Sequence, residues 1–184
     1  MMAFLMGVLL FAVHLGSVSA TGDSNSGLDD GATDDTVFRS RAVVYPVFQD
    51  KEFHFQVLRQ IGIAPYGGSD INECLITASR IQPGDFESWH QEWFDTAERV
   101  RQIADTSLEK GHTVSARDAY QRASGYYRAA EFFLHGDPDN PRILQTWEKS
   151  RDSFRKAIDL LPYPVEVVAI PYENTTLPGY FIKP

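Results

Sequence analysis

Apolar residues recur at helical spacing through two long stretches in the middle of the chain. In residues 85–111, and again in residues 114–135, they lie three or four positions apart, which is the period of a helix with one buried face. The pattern predicts two amphipathic helices, the first opened by Asp85 and the second ended by Gly136. The predicted buried positions are Phe86, Trp89, Trp93, Ala97, Val100, Ala104 and Leu108 in the first helix, and Ala116, Ala119, Tyr120, Ala123, Tyr127, Ala130 and Leu134 in the second.

Three shorter helices are predicted around these two. Residues 50–62 carry apolar side chains on one side, and the next helix begins where Ser69 or Asp70 caps it. The last helix is capped by Asn140 and has Pro141 at its first position, where a missing N–H costs nothing. Its predicted buried stripe is Ile143, Trp147, Phe154, Ile158 and Leu161.

The carboxyl-terminal part of the sequence, residues 163–184, predicts two strands. Apolar residues predominate in Val165–Tyr172 and Leu177–Lys183, with a short polar turn between them. A lone hairpin is marginal in water and needs a wider sheet or a helix layer to cover its face. The expected fold class is therefore mainly α, with five helices followed by the opening hairpin of a sheet whose other strands lie outside this sequence.

Residues 1–20 have the features of a secretory signal peptide. Leu5–Leu15 is an apolar run shorter than the ~20 residues of a membrane span, and small residues before Thr21 allow cleavage after Ala20. An uncleaved anchor is the alternative, because no Lys or Arg precedes the run. Residues 21–36 are rich in Gly, Ser and Asp and predict a disordered polar linker. We therefore expect a secreted protein without membrane attachment after cleavage.

The composition limits which binding partners and which covalent modifications are expected for the chain. The chain has 17 Lys and Arg against 25 Asp and Glu, a net charge of −8, which argues against nucleic acid because phosphate binding needs clustered cations. Cys74 is the only cysteine, so no internal disulfide can form, and its apolar helical setting indicates packing. Asn174 begins an N-glycosylation sequon in the hairpin turn, with an ordinary polar turn as the alternative.

The usual signatures of an active site are absent from the sequence. It has no Gly-x-Ser-x-Gly element, no His-Glu-x-x-His, no paired cysteines and no Walker loop. The five histidines are scattered, so neither a metal site nor a cofactor is expected. No catalytic residue is assigned within these 184 residues.

Two clusters of aromatic and charged residues are candidates for substrate contact. Trp89 and Trp93 could form the aromatic wall of a pocket, although their four-residue spacing also fits core packing. Tyr126 and Tyr127 need hydrogen-bond partners if they are buried, which a pocket could supply. Arg128 either joins them at the substrate or forms a surface ion pair with the glutamate three residues later.

Several segments, in order along the chain, carry a family resemblance. They are Pro65–Glu73, Ile81–Trp89, Ser115–Arg117, Arg122–Ser124, Tyr126–Glu131, Ile170–Glu173 and Leu177–Tyr180. The helical segments resemble the helical region of a distinct group of α/β-hydrolases. That group includes fermentation-respiration switch esterase-like proteins, 2,6-dihydroxypseudooxynicotine hydrolase and fungal polyketide-shortening hydrolases of pigment synthesis. The last two segments are similar to the first β-hairpin of the group's catalytic core.

The resemblance implies that residues 37–162 form a five-helix N-terminal cap layer and residues 163–184 the first two strands of an α/β-hydrolase core. Members of the group use a Ser–Asp–His triad to cleave ester, C–C or related bonds, and the resemblance places that triad beyond Pro184. It implies a small organic substrate, aromatic or polyketide, bound beneath the cap. A homodimer is a further expectation. The candidate contacts on this substrate are Trp89, Trp93, Tyr126, Tyr127 and Arg128.

Two other interpretations remain open. Residues 154–158 followed by Pro162 resemble the second helix of a tetratricopeptide repeat, which would make the chain a non-catalytic adaptor. The first helix of that repeat would cover residues 134–144, where a glycine and two prolines oppose helix formation. Alternatively the chain is a truncated product without activity, and its unpaired strand edge would promote aggregation.

Overall fold

Five α-helices followed by an antiparallel hairpin make up residues 47–183, the part of the chain that a computed structural model describes. This confirms the mainly helical fold class with a terminal hairpin. The predicted signal peptide and linker, residues 1–36, lie outside the described residues. The helices are α1 (Lys51–Ile61), α2 (Ile71–Arg80), α3 (Phe86–Glu109), α4 (Thr113–Glu131) and α5 (Pro141–Ile158), the short 3₁₀ turns are Ala64–Tyr66 and Phe132–Gly136, and the strands are β1 (Val165–Tyr172) and β2 (Thr175–Ile182).

Side-chain caps fix where four of the helices begin. A cap accepts a hydrogen bond from a first-turn N–H that has no partner inside the helix. At α2 the cap is Asp70, whose Oδ1 accepts from the Glu73 N–H at 2.9 Å. Ser69 instead donates its hydroxyl to the Gln60 carbonyl at 2.7 Å and ties α2 to the end of α1. The four caps are Asp50, Asp70, Asp85 and Asn140.

The hydrophobic core lies between α3 and the helices on either side of it. Every predicted buried residue of α4 and its 3₁₀ extension, from Ala116 to Leu134, is buried in the structure, which confirms that stripe. The α3 stripe is buried from Trp89 to Ala104. Its ends differ from the prediction, because Phe86 is 56% exposed and Leu108 is 38% exposed. The periodicity therefore identified the central turns of both long helices.

The prediction for α5 was wrong for most of its stripe. Trp147 is 40% exposed and only Ile158 among the five predicted residues is buried. The buried face consists mostly of small side chains, which allow α5 to lie close to α4. Ser150 donates its hydroxyl to the Ser124 carbonyl at 3.0 Å across this contact. The buried residues of the face are Thr146, Ser150, Ser153, Ala157 and Ile158.

A second close approach joins α4 to the turn before α2. A Cβ built on Gly125 would lie well inside van der Waals contact with the Gly68 carbonyl oxygen. Glycine at this interior helical position is unfavourable by propensity alone. It is required here because it leaves room for the Gly68 backbone.

The hairpin turns through two residues, Glu173 and Asn174, and β2 begins at Thr175, two residues earlier than predicted. Glu173 has φ of 48°, in the left-handed region that such tight turns need. The hairpin is attached to α5 through Tyr180, whose ring lies 5.1 Å from that of Phe154. Its exposed large apolar residues are Val167, Ile170, Tyr172, Leu177, Phe181 and Ile182.

The structure also tests the interpretation as a tetratricopeptide repeat. Residues 132–136 form a 3₁₀ turn and α5 begins only at Pro141, so the first helix of a tetratricopeptide repeat is not formed over residues 134–144. Each helix within residues 47–183 is too short or too polar to cross a bilayer.

Candidate functional site

The predicted aromatic residues meet between α3 and α4. The rings of Trp89 and Trp93 lie 5.8 Å apart, and the Trp93 ring lies 5.6 Å from that of Tyr126. Tyr127 packs edge-on against Phe94 at 5.6 Å. The structure therefore brings Trp89, Trp93 and Tyr126 into one aromatic layer, and it places Tyr127 beside Phe94 of the same helix α3. All four are buried: Trp89, Trp93, Tyr126 and Tyr127 are at most 1% exposed.

This burial favours the packing interpretation for the two tryptophans. Trp89 donates its indole N–H to the Ala129 carbonyl at 2.8 Å, so its polar group is satisfied inside the layer. Trp93 Nε1 is buried and has no hydrogen-bond partner among the described residues. Contact of either ring with substrate stays a prediction for the whole protein.

Arg128 forms the ion pair that the sequence suggested as its alternative role. Its Nη1 donates to Glu131 Oε1 at 2.9 Å, and His135 Nε2 lies 2.9 Å from the same oxygen. The side chain of Arg128 is 50% exposed, whereas that of Glu131 is 1% exposed. Glu131 Oε2 has no hydrogen-bond partner within residues 47–183. Arg128 therefore anchors a buried carboxylate, and its role toward a substrate stays a prediction.

Tyr126 joins α4 to the start of α2 through its hydroxyl. That hydroxyl donates to Glu73 Oε2 at 2.7 Å and accepts from the Asp70 N–H at 2.8 Å. Arg122 Nε donates to the same Glu73 oxygen at 3.1 Å. Burial raises the pKa of Tyr126, and the bond to Glu73 raises it further. Tyr126 is therefore a neutral hydrogen-bond donor rather than a base.

Tyr127 belongs to a triad that connects three helices. Its hydroxyl donates to Glu98 Oε1 on α3 at 2.6 Å, and Lys149 Nζ on α5 donates to the same oxygen at 2.5 Å. Burial by itself would raise the pKa of Glu98. Hydrogen bonds from Lys149, Tyr127 and Arg101 outweigh it and hold the pKa below its ordinary value. Glu98 is therefore ionised throughout the neutral range.

A second triad repeats this arrangement one heptad away on each helix. Tyr120 donates to Asp105 Oδ1 at 2.5 Å, and Lys156 Nζ donates to it at 3.0 Å. Burial opposes ionisation of Asp105, but bonds from Tyr120 and Lys156 hold its pKa below the ordinary value. Arg101 contacts Asp105 and also Glu98, so it links the triads. We call the seven residues the polar ladder: Glu98, Arg101, Asp105, Tyr120, Tyr127, Lys149 and Lys156.

Sequence reasoning missed the polar ladder, although a signal for it exists. Its carboxylates, its tyrosines and its lysines each recur after seven positions, and two helical turns separate residues that share a face. A search for polar residues repeating in step on successive helices would have found it.

The described residues offer little for covalent chemistry. Cys74 is fully buried, and burial raises the pKa of its thiol to about 12. Residues 47–183 contain no cluster of three or more His, Cys, Asp or Glu side chains that could hold a metal ion. A shallow pocket of about 380 Å³ lies where α5 leads into β1, lined by residues between Ile158 and Val165. None of the five candidate contact residues lines it.

Comparison with known proteins shows which group of proteins the chain is similar to. No protein-family profile matches the chain. Hydrolase LUC6 of Fusarium sp. is 44% identical over 142 residues, which are 77% of this chain and 34% of that protein. The 20-hydroxy-prefusarin hydrolase FUS2 of Gibberella moniliformis is 40% identical over 142 residues, again 77% and 34%. Alpha/beta hydrolase xenA of Xenoacremonium sinensis is 39% identical over 133 residues, 72% of this chain and 31% of that protein.

The chain is similar to fungal α/β-hydrolases. It spans about a third of the length of the curated relatives it matches. The resemblance seen in the sequence is therefore confirmed for the α/β-hydrolase group, while the finer subgroup stays a prediction.

Proposed function

We propose that this chain supplies the helical cap and the first two core strands of a serine α/β-hydrolase that cleaves an ester or C–C bond of a small organic substrate. The observation that carries the proposal is its 39–44% identity to fungal proteins named as hydrolases. One of them is named for action on 20-hydroxy-prefusarin. We extend this to a polyketide-type substrate for the present protein, within the hydrolase group described above.

The hairpin supports this proposal independently of the comparisons. Directly paired residues of two antiparallel strands point to the same side, so the register assigns each residue to a face. Val167 and Ile182 are exposed on one face, and Ile170, Leu177 and Phe181 are exposed on the other. Strands with apolar residues on both faces are typical of a sheet covered by helices on both sides. An α/β-hydrolase core provides such a sheet.

The chemistry in the proposed enzyme comes from its catalytic domain. An activated serine would attack the substrate carbonyl, backbone N–H groups would hold the oxyanion, and water would release the acyl group. The helical layer described here would exclude water from the reaction and limit the substrate's shape. Its neutral tyrosines and buried thiol fit such a covering role, since none of them is activated as a nucleophile.

The test compares the 184-residue chain with the extended protein, meaning this chain followed by the coding sequence downstream of Pro184. Both are expressed and assayed with p-nitrophenyl esters of increasing acyl length. We expect turnover from the extended protein alone, and loss of turnover when the serine of its Gly-x-Ser-x-Gly element is changed to alanine. A stop codon directly after Pro184, or equal turnover by the shorter chain, would overturn the proposal.

A further inference from the structure

One side of α5 presents apolar residues to solvent. Leu144, Trp147, Arg151 and Phe154 are spaced three, four and three residues apart, so they share one face of the helix. Leu144 is 51% exposed and Trp147 is 40% exposed. The Arg151 guanidinium lies over the Trp147 ring at 4.9 Å. This face is therefore an apolar stripe with a cation stacked on its largest ring.

The stripe continues onto one face of the hairpin. The Phe154 ring contacts Tyr180 at 5.1 Å, and Arg155 Nε donates to the Tyr180 hydroxyl at 3.1 Å. Tyr180 pairs with Val167, and Ile182 is on the same face two residues further along β2. We call this continuous surface the α5–hairpin surface: Leu144, Trp147, Phe154, Val167, Tyr180 and Ile182.

Helix and hairpin are held together over a short connection. Six residues, 159–164, separate the end of α5 from the start of β1. Together with the contact of Phe154 and Tyr180, this connection fixes the orientation of the strands against the helix. Strands added to the hairpin would therefore begin next to the carboxyl-terminal part of α5.

We propose that the α5–hairpin surface is where the catalytic domain of the extended protein docks, with Trp147 as its central anchor. This rests on the proposed function. Contiguous exposed apolar patches on soluble proteins mark interaction sites, and tryptophan is enriched among the residues that dominate such contacts. The relatives are about three times as long as the matched region, which argues for a domain of the same polypeptide rather than a second copy.

The fluorescence of the three tryptophans offers a direct test of this proposal. Trp89 and Trp93 are 1% and 0% exposed, so Trp147 is the tryptophan that a soluble quencher can reach. Acrylamide quenching of fluorescence is compared in the 184-residue chain and in the extended protein. Tryptophans that the added sequence itself contributes are first changed to phenylalanine, and Trp147→Phe in each protein identifies the Trp147 signal.

We expect the quenching constant of Trp147 to fall about five-fold in the extended protein, because the centre of a docked surface excludes water. An unchanged constant in an extended protein that hydrolyses esters would overturn the docking proposal and leave the proposed function standing. Protection of Trp147 that rises with the concentration of the 184-residue chain would also overturn it, since the occupant would then be a second copy. Absence of hydrolysis together with protected Trp147 would overturn the proposed function alone.

A charge substitution gives a second, independent readout. Trp147→Glu should change the melting temperature of the 184-residue chain only slightly, because Trp147 is 40% exposed there and lies outside the buried face of α5. In the extended protein it should lower the melting temperature and reduce ester turnover about ten-fold, since a carboxylate would be buried against an apolar surface. Gln145→Glu is the matched control, because Gln145 is exposed and two residues away, on a different side of α5. Equal effects of both substitutions would contradict the proposal.

Discussion

Tyr120 and Tyr127 lie seven residues apart on α4, and each donates its hydroxyl to a carboxylate of α3, Asp105 and Glu98, which are also seven residues apart. A slip of one helix by a turn would break both hydrogen bonds at once. The lysines of the polar ladder add the same constraint from α5. The ladder therefore fixes the axial register of three helices, and with it the position of the hairpin.

Acid should weaken the layer through the polar ladder. The folded protein holds the pKa values of Glu98 and Asp105 below their ordinary values, so it binds fewer protons there than the unfolded chain. This stabilisation is complete above the ordinary carboxyl pKa, about 4, and is lost as the pH falls through the lower folded values. Urea denaturation between pH 7 and pH 2.5 should show a falling free energy of unfolding below about pH 4.

The double variant Glu98→Gln, Asp105→Asn isolates this contribution. It should lower the free energy of unfolding by about 2 kcal/mol at pH 7, because each change weakens hydrogen bonds to a charged group. It should also flatten the acid limb, which is the fall in the free energy of unfolding below about pH 4. Glu109→Gln, at an exposed position on the same helix, is the control and should keep the limb. An acid limb of the same steepness in all three proteins would show that other carboxylates are responsible.

Gly125→Ala should destabilise the protein, although alanine is the better helix former. The new methyl group would strike the Gly68 carbonyl oxygen, and relieving that contact requires α4 to move away from the turn. Overpacking of this kind costs about 1–3 kcal/mol, which exceeds the gain of roughly 1 kcal/mol from helix propensity. Thermal unfolding should show a lower melting temperature. Gly136→Ala is the control, because its Cβ would meet no atom within 4 Å.

Cys74 should resist thiol reagents in the folded protein. Burial raises the pKa of its thiol to about 12, so at pH 8 the thiolate fraction is about a thousand-fold below that of a free cysteine. Reaction with Ellman's reagent should be very slow in buffer and release one equivalent in 6 M guanidinium chloride. Rapid reaction without denaturant would mean that α2 opens readily from the layer.

We propose that the protein is secreted and glycosylated at Asn174. Asn174 is exposed in the hairpin turn and Thr176 is exposed at the start of β2, so the sequon is accessible. Expression with the native N-terminus in a eukaryotic host should release a product whose electrophoretic mobility changes on endoglycosidase treatment. Asn174→Gln and Thr176→Ala should each abolish that change. Retention in the cytosol of an unmodified product would contradict both proposals.

The sequence predicted best those elements whose buried face is apolar. Every residue predicted for the α4 stripe, from Ala116 to Leu134, is buried because alanine, tyrosine and leucine recur there at helical spacing. On α5 the same reasoning selected large residues such as Trp147, whereas most of the buried side consists of small residues such as Ser150 and Ala157. Hydrophobic periodicity cannot detect a face that is buried because its side chains are small.

The candidate site shows the other limit of sequence reasoning. Tyr126 and Tyr127 were expected to need partners if buried, and each donates its hydroxyl to a carboxylate. Those partners are Glu73 and Glu98, on two different helices and 53 and 29 residues away, and no local pattern connects them. Sequence spacing predicted that the hydroxyls would be satisfied, but only the packing of the helices shows by which residues.

The polar ladder joins three helices that follow one another directly in the chain, and this bears on synthesis. Contacts among successive helices form quickly, because little chain entropy is lost in closing the loops between them. During translation, α3 to α5 can therefore settle into register on the ribosome while β1 is still in the exit tunnel. The strands would then emerge beside Phe154 on an already folded α5. The first folded surface that the hairpin contacts would therefore be that of its own helices.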